Sequence, residues 1–226
     1  MIRFKQFISE GINDPAIFKA IFLAGGPGSG KSFIVGKTGL TSMGYRVVNS
    51  DDAFENAMKK AGVAMDPEGI FSPKGQEIRG KAKTLTGKKQ ELYLKGRLGI
   101  VVDGTGKDPV KVRKQAESVK RLGYDVAMIL VNTDLDTALE RNRMRARTLP
   151  DAEVEKYWKE VQKNIGLFQN MFGKKNFLVV DNSSGKDYNK ETLRAYRDAK
   201  RFTDAEVTNK LAKDWIASEK KKRGIR

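Results

Sequence analysis

Cysteine and histidine are both absent from the 226 residues. No disulfide can form and no thiolate can hold a metal, which fits a reducing compartment. Without imidazole, any proton transfer falls to carboxylates, lysine, tyrosine or water. No apolar run approaches the roughly 20 residues that span a bilayer. The first residues carry no long apolar stretch of the secretory kind. The expectation is a cytoplasmic chain with no membrane contact. Negative charge is also in short supply: 28 acidic against 44 basic residues leave a net charge of +16. Such a balance favours nucleic acid or nucleotides as partners, or else only a solvated lysine-rich surface. No dense basic block is interleaved with aromatics as in nucleic-acid grooves.

What is present alternates regularly. Five apolar, β-rich runs stand out: Ala20 to Ala24, Tyr45 to Asn49, Gly99 to Asp103, Asp125 to Val131 and Asn176 to Asp181. Helical patterns separate them, which predicts an α/β chain with a parallel sheet covered on both faces. Helices are expected from about Gly30 to Ser42, Asp52 to Gly62 and Lys74 to Lys95, with an irregular stretch at "VAMDPEGIFSP". Asp108 followed by Pro109 reads as an N-cap and first helical turn, and Gly123 as a C-terminal stop. A helix beginning near "NTDLD" runs into Pro150. The next carries Val154, Tyr157, Trp158, Val161, Ile165 and Phe168 on one face. Beyond Asp181 a polar link leads to two helical patterns, with Thr203 and Glu206 as a capping box for the second. The division expected is 1–15 as a leader or helix, 16–185 as the main domain and 186–226 as a basic helical hairpin.

One stretch is chemically specific. "LAGGPGSGKS" follows an apolar strand and precedes a helix, satisfying G-x-x-x-x-G-K-[ST]. Gly25, Gly26, Pro27, Gly28, Ser29 and Gly30 form a loop whose backbone N–H groups can turn inward onto phosphate. The helix start adds unpaired N–H groups and a favourable dipole. Lys31 reaches the outer phosphates, and the Ser32 hydroxyl can ligate Mg²⁺. ATP with Mg²⁺ is the ligand expected.

The remaining residues sort the classes of nucleotide enzyme. "DGTG" at Asp103 to Gly106 has the letters of a GTPase D-x-x-G, but no guanine-reading N-K-x-D follows. Lys107 stands where a GTPase carries its water-positioning glutamine. Asp103 lacks the neighbouring acid that a mechanical ATPase uses on water, though it can still steer Mg²⁺. A kinase needs a carboxylate base and arginines that close over the phosphoryl group. Asp51 and Asp52 end the second strand, at the sheet edge where open α/β sheets bind ligands; one of them can equally cap the next helix. Arg141, Arg143, Arg145 and Arg147 lie before Pro150, as a phosphate-gripping lid or a solvated face. Arg79 and its neighbouring lysines can hold an anionic acceptor or belong to the surface.

Together, "GGPGSGKS", "VVNSDDAF", "IVVDGTGKD", "KRLGYDVAMILVNTDLDTALERN" and "RARTLP" resemble zeta-toxin-like kinases, relatives of polynucleotide kinases in the P-loop kinase group. The resemblance covers residues 20 to 172. It implies a three-layer P-loop kinase sandwich with a five-stranded parallel sheet of order 2-3-1-4-5, here with a C-terminal helical extension. It implies that Lys31 and Ser32 handle ATP and Mg²⁺, that Asp103 is the acid after strand three, and that Arg141 and Arg147 are the lid arginines. The base is Asp52 by the zeta-toxin spacing to an aromatic, Phe54. It is Asp51 by the Asn-x-Asp-Asp pattern of polynucleotide kinases. Family members phosphorylate a UDP-linked amino sugar and are held by an antitoxin. Here the arginine-to-arginine stretch is shorter, Glu55 replaces a basic residue, and 62–98 matches poorly. The acceptors expected are therefore a UDP-amino sugar, a nucleotide or a nucleic-acid end.

"MIRFKQFISE" separately resembles the capsid-targeting leader of internal head proteins of large tailed phages, with cleavage after Glu10. An amphipathic first helix with Phe4, Phe7 and Ile8 on one face is the alternative. The leader implies a protein packaged in a phage head, and with it a nucleotide-binding protein of little catalysis.

Overall fold

In the computed structural model, which describes residues 10–145 and 148–225, each of the five apolar runs is a strand. They are β1 Lys19–Ala24, β2 Arg46–Val48, β3 Ile100–Asp103, β4 Asp125–Asn132 and β5 Phe177–Asp181. All neighbours pair in parallel, in the order β2-β3-β1-β4-β5. Strand β1 is central and buried at every position, so both of its faces must be apolar, and "KAIFLA" supplies this apart from its first residue.

Alternation along β1 divides the core. Ile21 and Leu23 face one layer, with Ile34 of helix α2 (Lys31–Thr38) and with Ala195, Ala199 and Phe202 of α9 (Tyr188–Asp204). Ala20, Phe22 and Ala24 face the other. There they meet Ala116 and Val119 of α6 (Pro109–Arg121), Val161, Phe168 and Phe172 of α8 (Asp151–Phe172), and Ala212 of α10 (Lys210–Lys222). Each large side chain buried in these layers contributes about 1.5–3 kcal/mol relative to exposure. A third, smaller cluster joins Phe54 and Met58 of α3 (Ser50–Lys60), Ile70 of α4 (Pro67–Phe71), and Ile78 and Ala82 of α5 (Pro73–Lys95). The short α1 (Glu10–Asn13) opens the described chain, and α7 (Leu135–Arg143) follows β4.

Several boundaries follow the sequence signals. Asp108 caps α6 through Lys111 N–H at 2.9 Å, with Pro109 next, and Gly123 takes a positive φ just past its end. Others differ. Helix α2 stops at Thr38 rather than Ser42, because Gly39 turns left-handed. The stretch expected to be irregular contains α4, capped by Asp66. Thr203 starts no helix: it lies inside α9, its hydroxyl donating to the Ala199 carbonyl at 2.7 Å and 3.0 Å from the Tyr45 hydroxyl. The cap of the last helix is Asn209, which accepts from Leu211 N–H.

The two C-terminal helices also differ from the hairpin expected, since α9 joins one face of the sheet and α10 the other. Asp125 clips the link between them. It accepts from the buried Lys19 ammonium at 3.0 Å, from Thr208 N–H at 2.9 Å and from the Thr208 hydroxyl at 2.6 Å. Among the described residues no helix is long and apolar enough to cross a membrane. The leader resemblance falls on residues 1–9, outside the described residues.

Candidate active site

The C-terminal ends of β1, β2 and β3 carry the chemistry. After Ala24 the chain enters the glycine loop and leaves it into α2 at Lys31. A Cβ on Gly25 would stand 2.6 Å from both Ser29 Oγ and the Val131 carbonyl, and one on Gly28 would meet the backbone of Ala138. The loop is thus closed tightly on its own neighbours, and its walls enclose an open cavity of about 260 Å³. Gly26, Gly28, Gly30, Lys31, Ser32, Arg141 and Arg145 line it.

Lys31 folds back over the loop and donates from Nζ to the Gly25 carbonyl at 2.7 Å. Burial pulls its ammonium below the ordinary lysine pKa. Asp103 opposes this, Arg145 reinforces it, and Asp51 opposes it in turn. Of these groups, Lys31 and Arg145 line the same cavity. Asp103 in turn is raised above the usual carboxylate range by burial; Lys31 works against that, and Asp51 and then Asp52 add to it. Asp103 Oδ2 accepts from Asn49 Nδ2 at 3.0 Å, while its buried Oδ1 finds no hydrogen-bond partner among the described residues.

Asp51 and Asp52 sit exposed in the first turn of α3, and neither caps it. Asn49 is the cap, accepting from Asp51 N–H at 2.8 Å. Asn49 stood in the Asn-x-Asp-Asp pattern of the sequence without a role of its own. Its signal was its position, a polar side chain ending a strand directly before an acid pair.

The arginines divide. Arg141 and Arg145, four apart, both face the cavity. Arg143 pairs with Asp151 at the surface instead. Arg147 lies outside the described residues. Arg141 is held by a backbone oxygen, donating to the Asn182 carbonyl at 2.9 Å, so no carboxylate cancels its charge at that contact. The buried Asn182 side chain donates to the Ser29 carbonyl at 2.8 Å, tying the end of β5 to the glycine loop. Asn142, also buried, donates to the Leu149 carbonyl at 2.7 Å and accepts from Leu149 N–H at 3.1 Å. That reciprocal pair staples the segment bearing Arg143 and Arg145. A second open cavity, of about 460 Å³, adjoins the first between Phe33 and Tyr188, whose rings meet edge to face at 5.8 Å. Asn182, Asn142 and this aromatic pair were also missed from the sequence; only the position of Asn182 just past a strand end could have flagged it.

A nucleoside triphosphate fits this geometry. A Cβ at Gly25, Gly28 or Gly30 would collide with its neighbours, which keeps the loop backbone bare at those positions, and the buried Asp103 Oδ1 has no hydrogen-bond partner among the described residues. No group of three or more acidic side chains forms a cation cage among the described residues.

Comparison with known proteins gives a family and a fold. A family model described as an AAA domain matches residues 21–164. No curated protein matches the chain. Among solved structures, the AvrRxo1-ORF1:AvrRxo1-ORF2 complex with ATP aligns with a TM-score of 0.59 at 13% identity, over 95% of this chain and 87% of that one. A candidate kinase from Chloroflexus aurantiacus J-10-fl aligns with a TM-score of 0.52 at 11% identity, over 80% of this chain and 98% of that one. The PezAT toxin-antitoxin system of Streptococcus pneumoniae gives 0.49 at 15% identity, over 88% and 96%. At such identities the likeness is one of fold: the five-stranded P-loop kinase sandwich.

Proposed function

The chain belongs to the AAA domain family, and from that premise we propose that it is an ATP-dependent kinase that moves the γ-phosphoryl group to a hydroxyl acceptor. The observation that carries this is the cavity over the glycine loop, lined by Lys31, Ser32, Arg141 and Arg145, with the Asn49–Asp103 contact at the neighbouring strand ends.

In this reading the loop N–H groups hold the phosphates, and Lys31 turns from the Gly25 carbonyl onto the outer phosphate oxygens. Ser32 and Asp103 would hold Mg²⁺, which when bound neutralises charge on the phosphates. Asp51 takes the proton of the acceptor hydroxyl as its oxygen bonds to the γ-phosphorus and the bond to the ADP oxygen breaks. Asp51 is favoured over Asp52 because it perturbs both Lys31 and Asp103, whereas Asp52 perturbs Asp103 alone, and by less. Arg141 and Arg145 grip the phosphoryl in flight, with Arg147 the counterpart that the family resemblance supplies. Closure of the arginine segment excludes water and directs transfer rather than hydrolysis.

The finer reading is zeta-toxin-like, with a UDP-linked amino sugar as acceptor and an antitoxin as partner. The net charge of +16 supports a second, a kinase of nucleotides or nucleic-acid ends. A packaged nucleotide-binding protein with little catalysis is the third; the Asp51–Asp103–Lys31 grouping weighs against it.

The test offers γ-labelled ATP and Mg²⁺ with UDP-amino sugars, nucleotides and 5′-hydroxyl oligonucleotides in parallel, beside Lys31→Ala. Label on one acceptor class, lost in Lys31→Ala, is the expected result and names the substrate. Asp51→Asn should lose that transfer while keeping ATP binding, and Asp52→Asn should keep most of it. Undiminished transfer in Lys31→Ala would end the proposal.

A further inference from the structure

We propose that Asn49 is a positioning residue that sets Asp103 and the Asp51 helix in one fixed relation, presenting the free Asp103 oxygen to the metal side of the nucleotide site. This rests on the phosphotransfer reading. The backbone register brings the two residues together: Val48 pairs with Val102 in the β2–β3 ladder, so Asn49 and Asp103 are the next positions on adjacent parallel strands. Asn49 is extended, with φ −134° and ψ 128°, and its amide is used at both ends. Oδ1 accepts from Asp51 N–H at 2.8 Å, and Nδ2 donates to Asp103 Oδ2 at 3.0 Å.

Capping alone does not call for this residue. Serine or aspartate would cap α3 as well as asparagine does. Neither supplies an N–H donor reaching across to the neighbouring strand. With Oδ2 held, the Asp103 carboxylate cannot rotate, and Oδ1 is the oxygen left without a partner. The two bonds of the Asn49 amide tie the start of α3 to the end of β3, so the acid pair of α3 and Asp103 are held in a set relation. A carboxylate swinging freely would lose this, because an oriented group gives up less entropy on binding.

The test compares Asn49→Ser with Asn49→Ala. Serine keeps the cap acceptor and loses the Asp103 donor; alanine loses both. Mn²⁺ affinity is measured by electron paramagnetic resonance in the presence of AMP-PNP, which requires no turnover, and thermal melts are run beside it. The expected result is about tenfold weaker Mn²⁺ binding in both variants, from the lost hydrogen bond to a charged group. Only Asn49→Ala should melt substantially lower. Wild-type Mn²⁺ affinity in Asn49→Ser would overturn the proposal and leave Asn49 as a cap. A wild-type protein that labels no acceptor would instead sink the kinase reading, leaving the Mn²⁺ comparison standing on its own.

Discussion

Three glycines with similar backbones test how the loop is built. Gly39, Gly30 and Gly28 have φ values of 62°, 84° and 75°. Alanine in that left-handed region costs about 1 kcal/mol anywhere. A Cβ on Gly39 would meet nothing within 4 Å, so Gly39→Ala isolates this cost. On Gly30 a Cβ would overlap Asn182 Nδ2, which must then release the Ser29 carbonyl. Losing that hydrogen bond adds about 1–1.5 kcal/mol. On Gly28 it would lie 2.8 Å from both Cα and C of Ala138, which are backbone atoms of α7 and cannot rotate away. Overpacking of that kind adds about 2–3 kcal/mol. At about 3 °C per kcal/mol for a chain of this size, the melting temperature should fall by about 3, 7 and 10 °C in that order. Binding of a fluorescent ATP analogue with Mg²⁺ should stay within about twofold of wild type for Gly39→Ala. It should weaken more than about tenfold for the other two, since the loop N–H groups are displaced. If Gly30→Ala melts with Gly39→Ala and still binds the analogue, the Asn182–Ser29 tie does not hold the loop.

Further outcomes follow from other contacts. Burial raises the Asp125 carboxyl, but its bonds from Thr208 and Lys19 outweigh that and hold it below the ordinary value of 3.8. The stabilisation is therefore complete above that value and fades as pH falls through the folded pKa. Asp125→Asn should cost about 2–3 kcal/mol at pH 7, with the gap to wild type closing below about pH 4 in melting curves; a gap constant with pH would contradict this. Asn142→Ala strands the Leu149 N–H and carbonyl, so KM for ATP should rise several-fold; an unchanged KM would deny the staple a role in holding the arginine segment. Arg145→Ala should cut turnover by about 100-fold or more, whereas Arg143→Ala, paired with Asp151, should change it less than about threefold. Equal losses would contradict the division seen between them.

The fold was legible because its signals are local. Short apolar, β-rich runs bounded by turn residues mark the strands, and the glycine loop announces itself between one such run and a helix. Helix stops failed where tertiary contact decided. Thr203 has the letters of a cap, yet its hydroxyl is engaged by Tyr45, 158 residues away in sequence, and the helix runs through it. The site was legible by residue type and less so by partner. Sequence order left Asp51 and Asp52 equivalent as caps, because the cap is Asn49, which moves the helix start back to Ser50 and puts both acids in its first turn. Among the arginines, alternation in sequence hid that Arg141, in the last turn of α7, and Arg145, just beyond its end, line the same cavity. Asn142 carried no warning and Asn182 only its place just past a strand end, since a lone asparagine gains meaning from the carbonyl it reaches.

The placement of α9 and α10 on opposite faces of the sheet has a consequence for synthesis. Residues 25–32 leave the ribosome early, but Ala195, Ala199 and Phe202 must arrive before the layer containing α2 is sealed, and Ala212 before the other is. At about 5–20 residues per second, some 180 further residues take about 9–36 s. Through that interval the nascent chain holds its phosphate loop on a half-covered sheet, with apolar strands open on two sides. The two layers are therefore completed only after Phe202 and Ala212, respectively, have been made.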